Sequence, residues 1–248
     1  MGYSTDNYLL ELNEDFERQE VDCTGHGLRI VSNKNLSSHM PMVISSPLDK
    51  KHNRAIKRLF DIIISVTVMS LVFWWLLPIL ALLIKIDSPG PVLFVQKRNK
   101  KGGKLFYCLK LRTMRVNSSA DVLPASSNDA RITGIGKFLR LSHLDELPQF
   151  INVLIGDMSV VGPRPHMVTE NVKFKKVLNA YNDRHFVKPG ITGLAQSFGF
   201  NGPINDFYHL DKKIAYDIFY IKNWSAIMDV KIFIRTIGMI FKKLKPVQ

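Results

Sequence analysis

Several things that would narrow the function quickly are missing from this sequence. It has two cysteines in 248 residues, Cys23 and Cys108, so neither a disulfide framework nor a cysteine zinc site can be built. No basic stretch followed by an apolar run opens the chain, and a secretory signal peptide is not expected. There is no Gly-rich P-loop, no HExxH and no Gly-x-Ser-x-Gly elbow, and no internal repeat or low-complexity tract. Acidic residues are scarce after residue 50: thirteen stand against thirty Lys and Arg, whereas residues 1–50 hold eight acids against four basic residues. The net charge of +13 calls for an anionic partner. Nucleic acid is not expected, because no nucleic-acid motif accompanies the charge.

What is present divides the chain into three. Residues 1–50 read as a polar leader and linker with little order: Leu9 to Val21 suits a short acidic helix, and roughly 25–50 reads as linker. Residues 51–86 are a basic flank and an apolar segment. Lys50, Lys51, Arg54, Lys57 and Arg58 precede an uncharged run from Ile62 to Ile84. As a helix that run is about 35 Å long, enough to cross a hydrocarbon core of about 30 Å. A single transmembrane helix is the plain reading. Two features oppose it. The far flank is also basic (Lys85, Lys97, Arg98, Lys100, Lys101, Lys104), so both ends favour the cytoplasmic side. Pro78 inside the run removes a backbone donor and marks a membrane break. A segment that enters the inner leaflet, bends and returns satisfies both.

Residues 87–248 read as a cytoplasmic catalytic domain with interfacial helices. Val92–Val95 and Leu105–Leu109 form a small β-hairpin around Lys100–Lys104. A polar loop runs to about Asn128. Helices follow at Ile132–Leu141, Leu147–Leu154, 168–187, Leu210–Lys222 and Ser225–Lys243, with a turn at Lys188–Gly193. The last helix repeats Ile227, Val230, Ile234, Ile237 and Phe241 among basic residues. That stripe suits either the core or a membrane interface. The fold class is α+β and mostly helical, with a small β-hairpin and an N-terminal re-entrant membrane helix hairpin.

The chemistry centres on Asp145-Glu146. Adjacent carboxylates on a helical segment point about 100° apart, so they suit two separate jobs. One can be a covalent nucleophile toward phosphorus. The other can hold magnesium, which takes one or two carboxylates plus substrate phosphates. A helix-start acid pair is the bland alternative. Lys110, Arg112, Arg131, Arg140 and Arg164 stand nearby in sequence, and Arg forks match phosphate oxygens. Arg164 lies between two prolines. His143 precedes the pair and is a candidate base, or an ordinary helix-start histidine.

These motifs in this order resemble the bacterial sugar transferases, also called monotopic phosphoglycosyl transferases. The resemblance runs from about Lys57 to Leu244. It is carried by Lys57-Arg58-Leu59-Phe60-Asp61, Asp87-Ser88-Pro89-Gly90-Pro91-Val92, Gln96 and Arg98, and Lys110-Leu111-Arg112-Thr113-Met114. It continues through Leu144-Asp145-Glu146-Leu147-Pro148-Gln149, Gly156-Asp157-Met158-Ser159, Val161-Gly162-Pro163-Arg164-Pro165 and Pro189-Gly190-Ile191-Thr192-Gly193. Asp217, Tyr220, Asn223, Trp224, Ser225 and Asp229 complete it.

The resemblance implies transfer of a sugar-1-phosphate from a UDP-sugar to undecaprenyl phosphate, with release of UMP, initiating exopolysaccharide, capsule, O-antigen or glycoconjugate synthesis. It implies a ping-pong route through a phosphosugar on Asp145, with Glu146 and Asp145 holding Mg²⁺. Lys110, Arg112, Arg140, Gln149 and Arg164 would bind substrate phosphate or nucleotide, with Asp157 and Arg131 as accessory candidates. The setting would be the bacterial inner membrane, with inner-leaflet lipids as partners; self-association stays open. Three details depart from the family pattern. Pro78 comes late in the apolar run, His143 replaces a common Ser, and Asn99-Lys100 replaces a glycine turn. A non-catalytic membrane-anchored scaffold binding acidic lipid is the competing class.

Overall fold

A computed structural model describes residues 45–117, 129–200, 202, 204 and 206–244. All of them lie in one compact unit, Pro41–Gln248. The acidic helix expected at Leu9–Val21, most of the expected linker, Cys23 and most of the polar loop before Asn128 fall outside the described residues. The last piece of the expected linker is structured. Ser46 and Asp49 form a capping box around Pro47–Asp49, and the Ser46 hydroxyl donates to the Ile221 carbonyl at 2.7 Å. That contact is 175 residues away in sequence, which is why local composition did not reveal it.

Helix α1 (Lys51–Val68), a π turn (Met69–Phe73) and helix α2 (Trp74–Asp87) form one helical run of 37 residues. In α1 its buried face is polar. Lys57, Asp61 and Ser65, one turn apart, are its buried residues in α1, and they point into the domain. Its outward face is apolar: Leu71 is 66% and Trp74 74% exposed. A soluble helix buries its apolar stripe; this inversion fits a helix whose outer face meets lipid.

The run departs from α geometry at Met69–Phe73 instead of at Pro78, which lies inside α2. Proline crowds the carbonyl four residues back, here Trp74, and withholds its own N–H. The wide turn immediately upstream is where the ladder adjusts. Both ends of the run are held by the same domain. Asp61 accepts from the Ser159 hydroxyl and the Val160 amide, each at 2.8 Å. Leu80 and Ile84 pack with Leu111 and Leu139.

Strands β1 (Leu93–Asn99) and β2 (Leu105–Leu111) pair antiparallel, Leu93 opposite Leu111 and Asn99 opposite Leu105. They run longer than expected because the ladder stays in register up to the turn at Lys101–Gly103. Helix α3 (Gly134–Leu141) is capped by Thr133, and the Ile135 amide donates to the Asp87 carboxylate at 2.9 Å. The end of the apolar run thereby anchors the start of α3. Helix α4 (Gln149–Ile155) follows, and its Asn152 side chain bonds the Tyr107 carbonyl and the Leu109 amide along β2.

Strand β3 (Ser159–Val161) pairs parallel with β4 (Gly190–Thr192). The turn expected at Lys188–Gly193 is therefore partly a strand, made by a partner about thirty residues away. Its glycines are needed for close approach, since a Cβ on Gly190 would sit 2.1 Å from the Gly162 nitrogen. The helix expected over 168–187 is two pieces. Helix α5 (Val168–Val177) ends at an extended Leu178, and a 3-10 stretch covers Asn179–Phe186. A short α6 (Leu194–Ser197) precedes α7 (Phe207–Asn223) and α8 (Ala226–Leu244).

Candidate active site

Helix α3 stops where the Ser142 hydroxyl turns back onto the Phe138 carbonyl at 2.8 Å. His143 then takes φ 58°, the one left-handed non-glycine residue among those described. Histidine tolerates that region better than branched residues do. The reversal leads into a 3-10 turn, Leu144–Glu146, which carries both carboxylates into a cavity of about 440 Å³.

The two carboxylates are nearly buried, at 8% and 7% exposure, but their surroundings differ. Both oxygens of Glu146 are hydrogen-bonded. Its Oε1 accepts from Lys110 Nζ at 2.7 Å and Arg164 Nη2 at 2.5 Å, and its Oε2 accepts from Arg164 Nη1 at 3.1 Å. Burial pushes its pKa up, but Arg164 and Lys110 outweigh that and hold it well below the usual carboxylate range. Asp145 makes no hydrogen bond among the described residues. Burial and the Glu146 charge lift its carboxyl to about 6, against the pull of Lys110, Arg164 and Arg140. Two neighbouring carboxylates whose environments push their pKa values apart are set up for different roles.

The other expected residues separate into two groups. Lys110, Arg112, Arg140, His143 and Arg164 all line the cavity with the dyad. Among the described residues Arg140 spends only Nε, on the Thr113 hydroxyl at 2.8 Å. Arg112 is committed to the backbone: it donates to the carbonyls of Pro89, Ser88 and Ile84. Its Nη1 and Nη2 hold the end of the long apolar run. Gln149, Asp157 and Arg131 do not line the cavity. Gln149 is buried in the first turn of α4. Asp157 pairs with Lys100 at 2.5 Å, and Arg131 clasps Asp129 through two nitrogens.

Residue-by-residue reading missed the support behind Arg164. Arg184 donates to the Arg164 carbonyl at 2.6 Å and pairs with Asp217 at 2.8 Å. Arg98 donates to the Pro165 carbonyl at 2.8 Å. With its own carbonyl and that of Pro165 clamped, Arg164 presents its fork to Glu146 without a search for the geometry. His166 and Lys213 also line the cavity. Burial, with Arg184 beside it, keeps His166 well below the usual histidine range. Burial and the neighbouring Arg164 and Arg184 bring Lys213 down to about 8. Gln96 and Arg98 carried a signal as a Gln-x-Arg motif; His166 and Lys213 stand in no local pattern.

Among the described residues no three His, Cys, Asp or Glu side chains converge as a metal cage. Magnesium does not need one, because it completes its shell with phosphate oxygens and water. The unbonded Asp145 carboxylate, with the singly bonded Glu146 Oε2 next to it, is a donor set that fits that mode.

A family model described as bacterial sugar transferase matches residues 52–243. A UDP-glucose:undecaprenyl-phosphate glucose-1-phosphate transferase of Xanthomonas campestris pv. campestris is 48% identical over 66% of this chain and 34% of its own length. An Aeromonas hydrophila protein named UDP-N-acetylgalactosamine-undecaprenyl-phosphate N-acetylgalactosaminephosphotransferase is 44% identical over 75% of this chain and 43% of its own. Exopolysaccharide production protein PSS of Rhizobium leguminosarum bv. phaseoli is 42% identical over 73% of this chain and 93% of its own. The match thus covers only about a third to two-fifths of the length of several relatives.

Proposed function

This chain belongs to the bacterial sugar transferase family, and from that premise we propose that it transfers a sugar-1-phosphate from a UDP-sugar to undecaprenyl phosphate. The product initiates a polysaccharide or glycoconjugate. The observation that carries this reading is the dyad: a buried Asp145 with no hydrogen bond among the described residues, beside a Glu146 held by two cations. Relatives that differ in the named sugar share the undecaprenyl-phosphate acceptor, so the acceptor is carried over to this chain and the sugar is not.

An Asp145 carboxylate oxygen attacks the β-phosphorus of the UDP-sugar. The new O–P bond forms as the bridging P–O bond breaks, and UMP leaves with that electron pair. An oxygen of undecaprenyl phosphate then attacks the same phosphorus, and the Asp145–phosphorus bond breaks back to a free carboxylate. A carboxyl pKa near 6 keeps Asp145 ionised at neutral pH, yet more basic than an ordinary aspartate. Glu146 holds Lys110 and Arg164 next to the reacting phosphate, where positive charge offsets the charge of the diphosphate. Magnesium held by Asp145 and the Glu146 Oε2 would add further charge neutralisation there.

The re-entrant topology belongs to the same proposal. It is supported by two anchors on one domain, Asp61 at β3 and Ile84–Pro89 at Arg112. A straight span would put these anchors on opposite sides of a bilayer. The dyad then faces the cytoplasm at the membrane surface, where UDP-sugars are available.

The test is UMP release by the purified protein with undecaprenyl phosphate, Mg²⁺ and a panel of UDP-sugars. Release that depends on the lipid and disappears in Asp145→Asn is expected. Unchanged turnover in that variant would defeat the nucleophile assignment, and no release with any UDP-sugar would favour a scaffold.

A further inference from the structure

The cavity around Asp145 is lined by two unlike sets of residues. One set is polar, with Arg98, His166 and Lys213, and part of it continues into a second, much smaller cavity. The other set holds apolar Pro91, Leu93 and Val116 with Arg115, and Arg112 and Asn117 line the cavity as well. This second set grows out of the end of the membrane run. Arg112 ties it to the Ser88 and Pro89 carbonyls. Gly90, at φ 128°, leaves room for both neighbours: a Cβ there would lie 2.0 Å from Arg112 Nη1 and 2.8 Å from Val116 Cγ2.

Val116 is 68% exposed and Leu93 is also exposed. Arg115 is fixed by its backbone, whose amide donates to the Arg131 carbonyl at 2.9 Å. Its guanidinium makes no hydrogen bond among the described residues. Its charge is felt by Asp87, which is already engaged by the Ile135 amide. An uncommitted guanidinium beside exposed hydrocarbon, reached from the end of a membrane helix, matches one kind of ligand. That ligand is an anion on the end of a long apolar chain. The soluble nucleotide has no use for the apolar part and has the polar set to meet it.

We propose that Arg115, with Leu93 and Val116, is the docking site of the lipid acceptor, a phosphate on a long hydrocarbon chain. This rests on the transferase reading above. The phosphate lies against Arg115 and the free Nη groups of Arg140, and the chain leaves over Val116 and Leu93 toward the bilayer. The site serves the second half-reaction and not the first.

Ping-pong chemistry lets the two halves be read separately, using the full chain in nanodiscs. Without lipid, one equivalent of UMP reports formation of the phosphosugar enzyme. With undecaprenyl phosphate varied, steady-state turnover reports the acceptor. Arg115→Ala is expected to raise the KM for undecaprenyl phosphate about tenfold or more, the scale of one lost charge-assisted hydrogen bond. Its UMP burst should keep wild-type size and UDP-sugar dependence. Val116→Glu should act in the same direction, and Arg115→Lys should restore most of the loss.

A lipid KM within twofold of wild type in Arg115→Ala, or an equal rise in the UDP-sugar requirement of the burst, would overturn the proposal. Binding of undecaprenyl phosphate to Asp145→Asn, with and without Arg115→Ala, tests the site independently of turnover. Unchanged lipid affinity there, or equally tight binding of a short soluble phosphate monoester, also overturns it. Absence of UMP from the wild type defeats the transferase reading instead, and the binding arm still decides whether Arg115 meets a lipid phosphate.

Discussion

Asp145 is held in a form that suits chemistry and costs stability. Its folded pKa of about 6 lies above the ordinary 3.8, so the folded state binds the proton more tightly than the unfolded one. The resulting penalty is absent below about pH 4 and grows as pH rises to about 6, where it levels off. Metal-free Asp145→Asn is therefore expected to melt several degrees above wild type at pH 7.5 and close to it at pH 4. Thermal denaturation in EDTA at both pH values checks this, and a lower melting point at pH 7.5 would refute it. Arg164→Lys keeps the charge and loses the two-pronged grip on Glu146. Because the Arg164 and Pro165 carbonyls stay clamped by Arg184 and Arg98, the backbone carrying the ammonium does not shift to compensate. UMP release should fall at least tenfold in kcat/KM with little change in melting temperature. The dyad was legible in the sequence because adjacent acids beside arginines form a local pattern. The role of Arg112 was not, because which oxygens a guanidinium reaches is decided by the fold.

The membrane run shows the same division between elements. Its length and apolarity follow directly from Ile62 to Ile84. That it turns its polar stripe inward follows only from β3 and α8 being packed against it. If both anchors stay seated, Lys51→Cys and Lys85→Cys, in a chain lacking Cys23 and Cys108, should react with an impermeant maleimide from the cytoplasmic side only. Labelling of the two positions from opposite sides would rule out the re-entrant path. The expected helix over 168–187 illustrates a limit of periodicity. Helical spacing continues through Leu178, but the chain there is extended, and Tyr181 and Arg184 are placed on the His166 side by a 3-10 stretch. Strand β4 was read as a turn because Pro189-Gly190 signals one locally, while its partner β3 lies elsewhere in the chain.

Across the whole molecule, one buried cluster joins the first helix to the last. Lys57 Nζ reaches Asp229 at 2.8 Å, the Tyr220 hydroxyl at 2.9 Å and the Val161 carbonyl at 2.9 Å, and Trp224 Nε1 donates to Asp229 at 3.0 Å. Removing one partner of a buried pair leaves the other charge uncompensated, typically at about 3–5 kcal/mol. Lys57→Met should lower the melting temperature by roughly 6 °C or more. The double variant Lys57→Met/Asp229→Asn should recover part of that loss. A single variant as stable as wild type would show that the cluster does not join the membrane run to the domain.

Sequence alone determined the features that depend on near neighbours: an apolar run of membrane length with basic flanks, a β-hairpin at Gly102-Gly103, and an acid pair among arginines. Only the tertiary structure decided the ones that depend on distant groups. It gave Glu146 two cations, left Asp145 and the Arg115 guanidinium without a hydrogen bond among the described residues, and spent Arg112 on the end of the apolar run. The physical reason is that propensity and hydrophobic spacing act over a few residues. A buried charge takes its protonation and its partners from whatever the fold brings within about 4 Å of it.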